Sequence, residues 1–194
     1  MSVEISTEDF EYLQKLFSEN KVEADLKIYK SDDKDMNRIF ESLVELLKKA
    51  GANIRYEVLP MDSIDINYRS RYPILQKDNV YYAGIMRGDL IEYILIMLLY
   101  DGYKNTDIRD LCLVEIVQEG CPFCKVMARE LMKLSRYNKI IISEVHDSIE
   151  LIEKHNIDAV PVLFGGRDFN NLELIIKGYS KRLFDFIRRF AERL

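Results

Sequence analysis

The same succession of hydrophobic patterns runs through this chain twice, at a constant shift of 88 residues, and that repetition limits the fold more than any other feature. Under the shift Leu43 falls on Leu131, Leu46 on Leu134, Ile54 on Ile142 and Pro73 on Pro161. Cys121 and Pro161 stand 40 residues apart, as do Asp33 and Pro73. Cys121 and Cys124 themselves coincide with Asp33 and Met36.

An amphipathic helix is expected over residues 6–19, capped by Ser6 or Thr7, with Phe10, Leu13, Leu16 and Phe17 on one face. A strand at 25–29 and a polar turn at 30–33 precede a long helix striped by Ile39, Leu43, Leu46 and Leu47, which Gly51 stops. A strand at 54–59, a helix-like stretch at 63–69, a short run at 73–75, a turn at 77–79, a strand at 80–83 and an apolar helix at 89–100 complete the first half. Residues 101–110 are polar and read as a linker. The second half follows the same plan. It has strands at 111–117, 139–144, 160–164 and 172–177, the last two separated by a turn at 165–171. Its helices run from Cys121 to about Arg136 with Val126, Met127, Leu131 and Leu134 inward, at 148–155, and at 181–194. Each half thus reads β-α-β-α-β-β-α, an α/β fold in which a small mixed sheet is covered by helices.

An apolar share of 48% supplies a core without disulfide staples. The net charge of −5 is spread along the chain with no basic run, which argues against nucleic acid as a partner. Arg182, Arg188 and Arg189 read as a solvated helix face. Residues 1–4 are acidic and do not resemble a signal peptide. The apolar stretch 91–100 is about half a bilayer span and contains Glu92 and Tyr93, so a buried helix is expected there. The expectation is a soluble cytoplasmic protein with no membrane partner.

The chemistry centres on Cys121-Pro122-Phe123-Cys124, between an apolar strand and a helix. The spacing fits one helical turn, with Cys121 at the helix N-terminus and Cys124 one turn inside. Pro122 suits the first helical position. Unsatisfied N–H groups and the helix dipole favour a thiolate at Cys121, lowering its pKa, while Cys124 is more shielded. A structural bridge over so short a loop gains little entropy, and a zinc site would have to recruit His146 and His155. Both readings stay open beside a redox pair. Cys112, inside an apolar run, reads as an inert buried thiol.

Cys-Pro-Phe-Cys between strand and helix, Val160-Pro161 further on, and Gly178-Tyr179 before the last helix resemble the thioredoxin/glutaredoxin superfamily. The doubled plan is similar to the two-unit protein disulfide oxidoreductases of thermophiles. The resemblance implies two tandem thioredoxin-like units, residues 1–101 without redox cysteines and 102–194 with them. It also implies a cis Val160–Pro161 peptide facing the dithiol, Val160 backbone offered to a substrate strand, and Tyr72–Pro73 as the counterpart. Both prolines could equally be ordinary trans strand starts. Pro122, Phe123, Val160 and Pro161 are the expected substrate-binding residues, with Cys121 as nucleophile and Cys124 as resolving thiol. Glu115 interrupts an apolar strand six residues before Cys121, where thioredoxins carry a buried acid. It would either take the proton of Cys124, or pair with a cation such as Lys125 or reach solvent. Tyr179 could flank the groove.

The implied activity is dithiol–disulfide exchange on protein disulfides, with electrons from a reducing protein or a small thiol. No organic cofactor is expected, because no glycine-rich nucleotide fingerprint follows any strand. Two other readings remain: a redox-sensing scaffold without turnover, and a carrier of a metal or iron–sulfur cluster. Asp33 and Met36 in the thiol positions leave the first half without thiol chemistry.

Overall fold

The computed structural model describes residues 5–100 and 106–194. The expected reading of residues 1–4, and positions 101–105 of the expected linker, lie outside the described residues. In chain order the elements are α1 (Thr7–Asn20), β1 (Glu23–Lys30), α2 (Lys34–Lys49), β2 (Asn53–Pro60), β3 (Ile74–Lys77), β4 (Val80–Ala83) and α3 (Ile91–Leu99). Then follow β5 (Cys112–Val117), α4 (Pro122–Met132), β6 (Lys139–Glu144), α5 (Ile149–His155), β7 (Val162–Gly166), β8 (Glu173–Lys177) and α6 (Leu183–Ala191).

The strands form one mixed 8-stranded sheet in the order β2-β1-β3-β4-β6-β5-β7-β8. Its two halves use the same pairing senses. β1 runs parallel to β2 and antiparallel to β3, which pairs antiparallel with β4. β5 runs parallel to β6 and antiparallel to β7, which pairs antiparallel with β8. The seam is β4 against β6, parallel, from Val80↔Ile140 to Ala83↔Ser143. At the end of that seam Gly84, at φ +139°, lies so close to Glu144 that a Cβ there would collide with the glutamate's own Cβ.

Side chains alternate across the sheet, so each face has its own core. One face packs under α1, α2, α3, α4 and α6, with Phe17, Phe40, Leu43, Tyr93, Met127, Leu131 and Ile187 in a single cluster that runs through both halves. The other face carries Tyr29, Tyr81, Val114, Ile141 and Phe164 under α5 and the segment before β3.

That segment is not the helix expected over 63–69. Beyond a short 3-10 turn, Met61–Ser63, it is irregular. Ile64, Ile66 and Tyr68 pack against the second core at every other position, the spacing of extended chain. Side-chain bonds to distant residues hold the path: Tyr81 Oη donates to Asp65 at 2.7 Å, and the Tyr68 and Ser143 hydroxyls lie 2.7 Å apart. Local helix propensity is overridden by these tertiary partners.

Other expectations shift by smaller amounts. In α2 the deepest stripe is Phe40, Leu43, Val44 and Leu47, while Ile39 and Leu46 sit on its flank. Val126 of α4 points outward, 36% exposed, because Met127, Ala128 and Leu131 occupy the inward face. α4 also ends at Met132 and α6 spans only Leu183–Ala191. Within the expected linker, Thr106 and Ile108 are buried, so this part packs as structure rather than as a tether.

Candidate redox site

β5 is buried at every position and delivers the chain to a turn, where Gly120 takes φ +75°, the left-handed conformation that suits glycine. Cys121 follows as the N-cap of α4, its Sγ accepting the Cys124 N–H at 3.2 Å, with Pro122 opening the helix. Cys121 and Cys124 are joined in a disulfide with their Cα atoms 5.4 Å apart. Cys124 is fully buried and Cys121 half-buried, so one sulfur is reachable and the other is shielded. Phe123 stands 60% exposed beside the pair and stacks on Tyr179, with ring centroids 6.4 Å apart.

Val160–Pro161 is the one cis peptide among the described residues, so the counterpart Tyr72–Pro73 is trans. In the first half Ser70 satisfies that stretch locally: its hydroxyl donates to the Tyr72 carbonyl at 2.7 Å and accepts the Tyr72 N–H at 3.1 Å. The Pro161 carbonyl accepts the Gly178 N–H at 2.7 Å, and Tyr179 next along reaches Phe123. A continuous run of contacts therefore links Pro161 to the cysteine loop. Cys121, Val160 and Tyr179 all pack against the same core cluster.

Glu115 sits in the middle of β5, opposite Ile142 on one side and Leu163 on the other. By alternation it shares the sheet face of Leu113 and Val117, which is also the face of Cys124. The residue is fully buried, and neither carboxyl oxygen has a hydrogen-bond partner among the described residues. Burial pushes its pKa well above the usual carboxylate range. It does not pair with Lys125, as one expectation had it, nor does it reach solvent. Lys125 is engaged elsewhere, by Asp89 at 2.6 Å and Glu92 at 2.7 Å. Burial works to lower the Lys125 pKa, but the bonds to Asp89 and Glu92 outweigh it and the net shift is upward. Tyr93 of α3 is a second buried polar group without a partner: its hydroxyl is unsatisfied, and burial first, then the charge of Glu115, raises its pKa.

Asp33 occupies the Cys121 position in the first half and does the same structural work. It caps α2, its carboxylate accepting the Met36 N–H at 2.9 Å. Cys112 is buried and unpaired, its Sγ 3.6 Å from the Arg167 carbonyl. Asp89 and Glu92 were not legible in the sequence as neighbours of the cysteine loop, since only the packing of the two halves against each other brings them to it. Among the described residues no cluster of three or more His, Cys, Asp or Glu is placed to hold a metal ion, and no helix is long and apolar enough to cross a membrane.

A helix-flanked mixed sheet with a close cysteine pair at a helix N-terminus is a thioredoxin-like fold, and the pair is consistent with thiol–disulfide redox chemistry. No family model matches the sequence, and no curated protein matches it. Among solved structures the chain is similar to the alkylhydroperoxide reductase AhpF from Enterococcus faecalis, with TM-score 0.72 and 12% identity, covering 95% of this chain and 98% of that one. It is also similar to a protein disulfide oxidoreductase from Aeropyrum pernix, with TM-score 0.68 and 13% identity over 98% of this chain and 95% of that one. A third likeness is Sso1120 from Sulfolobus solfataricus, with TM-score 0.56 and 16% identity, covering 84% of this chain and 98% of that one. At these identities the likeness is one of fold.

Proposed function

We propose that this chain is a dithiol–disulfide oxidoreductase acting on protein disulfides, built of two tandem thioredoxin-like units, residues 1–101 and 102–194, of which the second is catalytic. The observation that carries the reading is the asymmetry of the pair: a half-buried Cys121 at a helix N-terminus, bonded to a fully buried Cys124. The repeated strand order, and the matching caps at Asp33 and Cys121, support the two-unit reading. The Aeropyrum protein, which resembles this chain over nearly its whole length, is itself described as a protein disulfide oxidoreductase.

In the reducing direction the Cys121 thiolate attacks one sulfur of a substrate disulfide. A Cys121–substrate bond forms and the other substrate sulfur leaves as thiolate. Cys124 then attacks Cys121 Sγ, the Cys121–Cys124 bond forms, and the second substrate sulfur leaves. The substrate disulfide has gained two electrons and the site has lost two. Glu115, in its carboxylate form and made a stronger base by burial, takes the Cys124 proton as that thiol becomes a nucleophile, and so is left neutral in the oxidised site. Pro122, Phe123, Val160 and Pro161 form the substrate rim. A reducing protein or a small thiol returns the site to the dithiol.

Reduction of insulin by dithiothreitol tests this. Wild type is expected to accelerate it, Cys121→Ser to run at the uncatalysed rate, and Cys124→Ser to accumulate mixed disulfide. Wild type at the uncatalysed rate would overturn turnover on protein disulfides and leave a redox-sensing scaffold as the better reading.

A further inference from the structure

The segment that closes the first half reaches across the seam to the cysteine loop. Asp89 lies in the 3-10 turn Gly88–Leu90 that leads into α3. One of its carboxylate oxygens accepts the Gly120 N–H at 3.0 Å, and the other meets Lys125 Nζ at 2.6 Å. Glu92, in the first turn of α3, holds the same ammonium at 2.7 Å. Arg87 pairs with Glu119 at 3.3 Å. The first half therefore grips Cys-Pro-Phe-Cys on both sides, at Glu119 and Gly120 before it and at Lys125 after it.

Lys125 directly follows Cys124, near the N-terminal end of α4. A free ammonium there would add to the helix N-terminus in favouring a Cys121 thiolate. Here its side chain is only 17% exposed and lies between two carboxylates. Three anions (Asp89, Glu92, Glu119) and two cations (Arg87, Lys125) make up the cluster, so its net field opposes a thiolate. The other titratable groups toward the pair are Glu115 from β5, Tyr93 from α3, and Tyr179, whose ring lies on Phe123.

We propose that the cysteine-free half is an electrostatic strap on the redox loop: Asp89 fixes the Gly120 amide and, with Glu92, occupies the Lys125 ammonium, so that this half sets how firmly the reduced site holds its Cys121 thiolate. The proposal rests on the redox reading above and gives the first half a task that needs no thiol. Asp89 and Glu92 are positioning residues, acting on the sulfur through Gly120 and Lys125.

Two readouts on the full chain test it: the pH midpoint of Cys121 alkylation by iodoacetamide in the reduced protein, and the equilibrium of the dithiol with oxidised glutathione. In that exchange the site passes two electrons to glutathione disulfide, giving Cys121–Cys124 and two glutathione thiols. Asp89→Asn keeps an oxygen for the Gly120 amide but removes one negative charge. It is expected to lower the alkylation midpoint and shift the equilibrium about fivefold toward the dithiol, the size of one charge acting across a partly solvated site. Lys125→Met leaves both carboxylates unopposed and is expected to shift both readouts the other way. Loss of a merely structural tie would move the two variants in the same direction. Shifts of the same sign, or none, overturn the proposal. If Asp89→Asn does not fold, Glu92→Gln withdraws a charge from the same ammonium and must shift as Asp89→Asn was expected to. Neither readout involves protein-disulfide turnover. Opposite shifts in a chain that cannot reduce insulin would keep the strap and remove only the function. Unmoved midpoints in an active chain would do the reverse.

Discussion

Glu115 is the residue whose setting departs furthest from what its side chain prefers. Fully buried and without a hydrogen bond, it is held in its neutral form, with its pKa raised by burial. In the unfolded chain it ionises near the ordinary glutamate value, so above that pH folding must take up a proton. The unfolded state then binds fewer protons than the folded one, and stability falls as pH rises from the unfolded pKa toward the folded one. The slope is at most about 1.4 kcal/mol per pH unit for one group. Glu115→Gln removes that dependence. Urea unfolding at pH 5 and pH 8 is expected to show the variant gaining on wild type at the higher pH. A wild-type-minus-variant difference that does not change with pH would mean the carboxyl is ionised in the fold. The candidate site residues Cys121, Cys124, Glu115 and Pro161 could be picked out in the sequence because each is an unusual residue type in its local pattern. Asp89 and Lys125 could not, since charged residues are common at helix starts and their meaning here is their pairing.

At the scale of elements, the two cysteine-position helices show how one backbone device survives a change of chemistry. α4 is capped by the Cys121 sulfur and α2 by the Asp33 carboxylate, each accepting the N–H three residues on. A carboxylate at that end also meets the positive pole of the helix. Asp33→Ala is expected to cost about 1 kcal/mol, as lost N-caps do. Denaturant titration would read this as a lower midpoint with an unchanged slope. No change would mean that solvent replaces the cap freely. Most strands and helices could be read from their periodicity, because their burial is set by one nearby face. The stretch at 63–69 could not. Ile64 and Tyr68 stand four apart, a helical spacing, while Ile66 between them fits only extended chain, and the hydrogen bonds of Asp65 with Tyr81 and of Tyr68 with Ser143 on other strands decide for the extended path.

Across the whole molecule the two halves share a sheet and a core. The β4–β6 seam joins the strands, and one apolar cluster extends from Leu13 in α1 to Ile187 in α6. Neither half keeps its packing if the other unfolds, so a single cooperative transition is expected. Two local probes test this. Tyrosine fluorescence reports mainly on the first half, where nine of the twelve tyrosines lie, the buried Tyr81, Tyr82 and Tyr93 among them, and labelling of the buried Cys112 thiol reports on the second. Coincident urea midpoints are the expected result. Separate midpoints would show two units that fold on their own.

By itself the sequence determined the repeated succession of strands, with the full β-α-β-α-β-β-α order in the second half, and the cysteine pair at the mouth of a helix. Both are written in short-range patterns: alternation, helical spacing, turn residues and a two-residue gap between thiols. Only the tertiary structure decided that β4 lies beside β6, making one sheet of two halves, and that Asp89 and Glu92 therefore reach Gly120 and Lys125. The physical reason is that a strand edge and a charged side chain carry no local record of their partner. Which edge they meet and which charge they neutralise is settled only when the whole core packs.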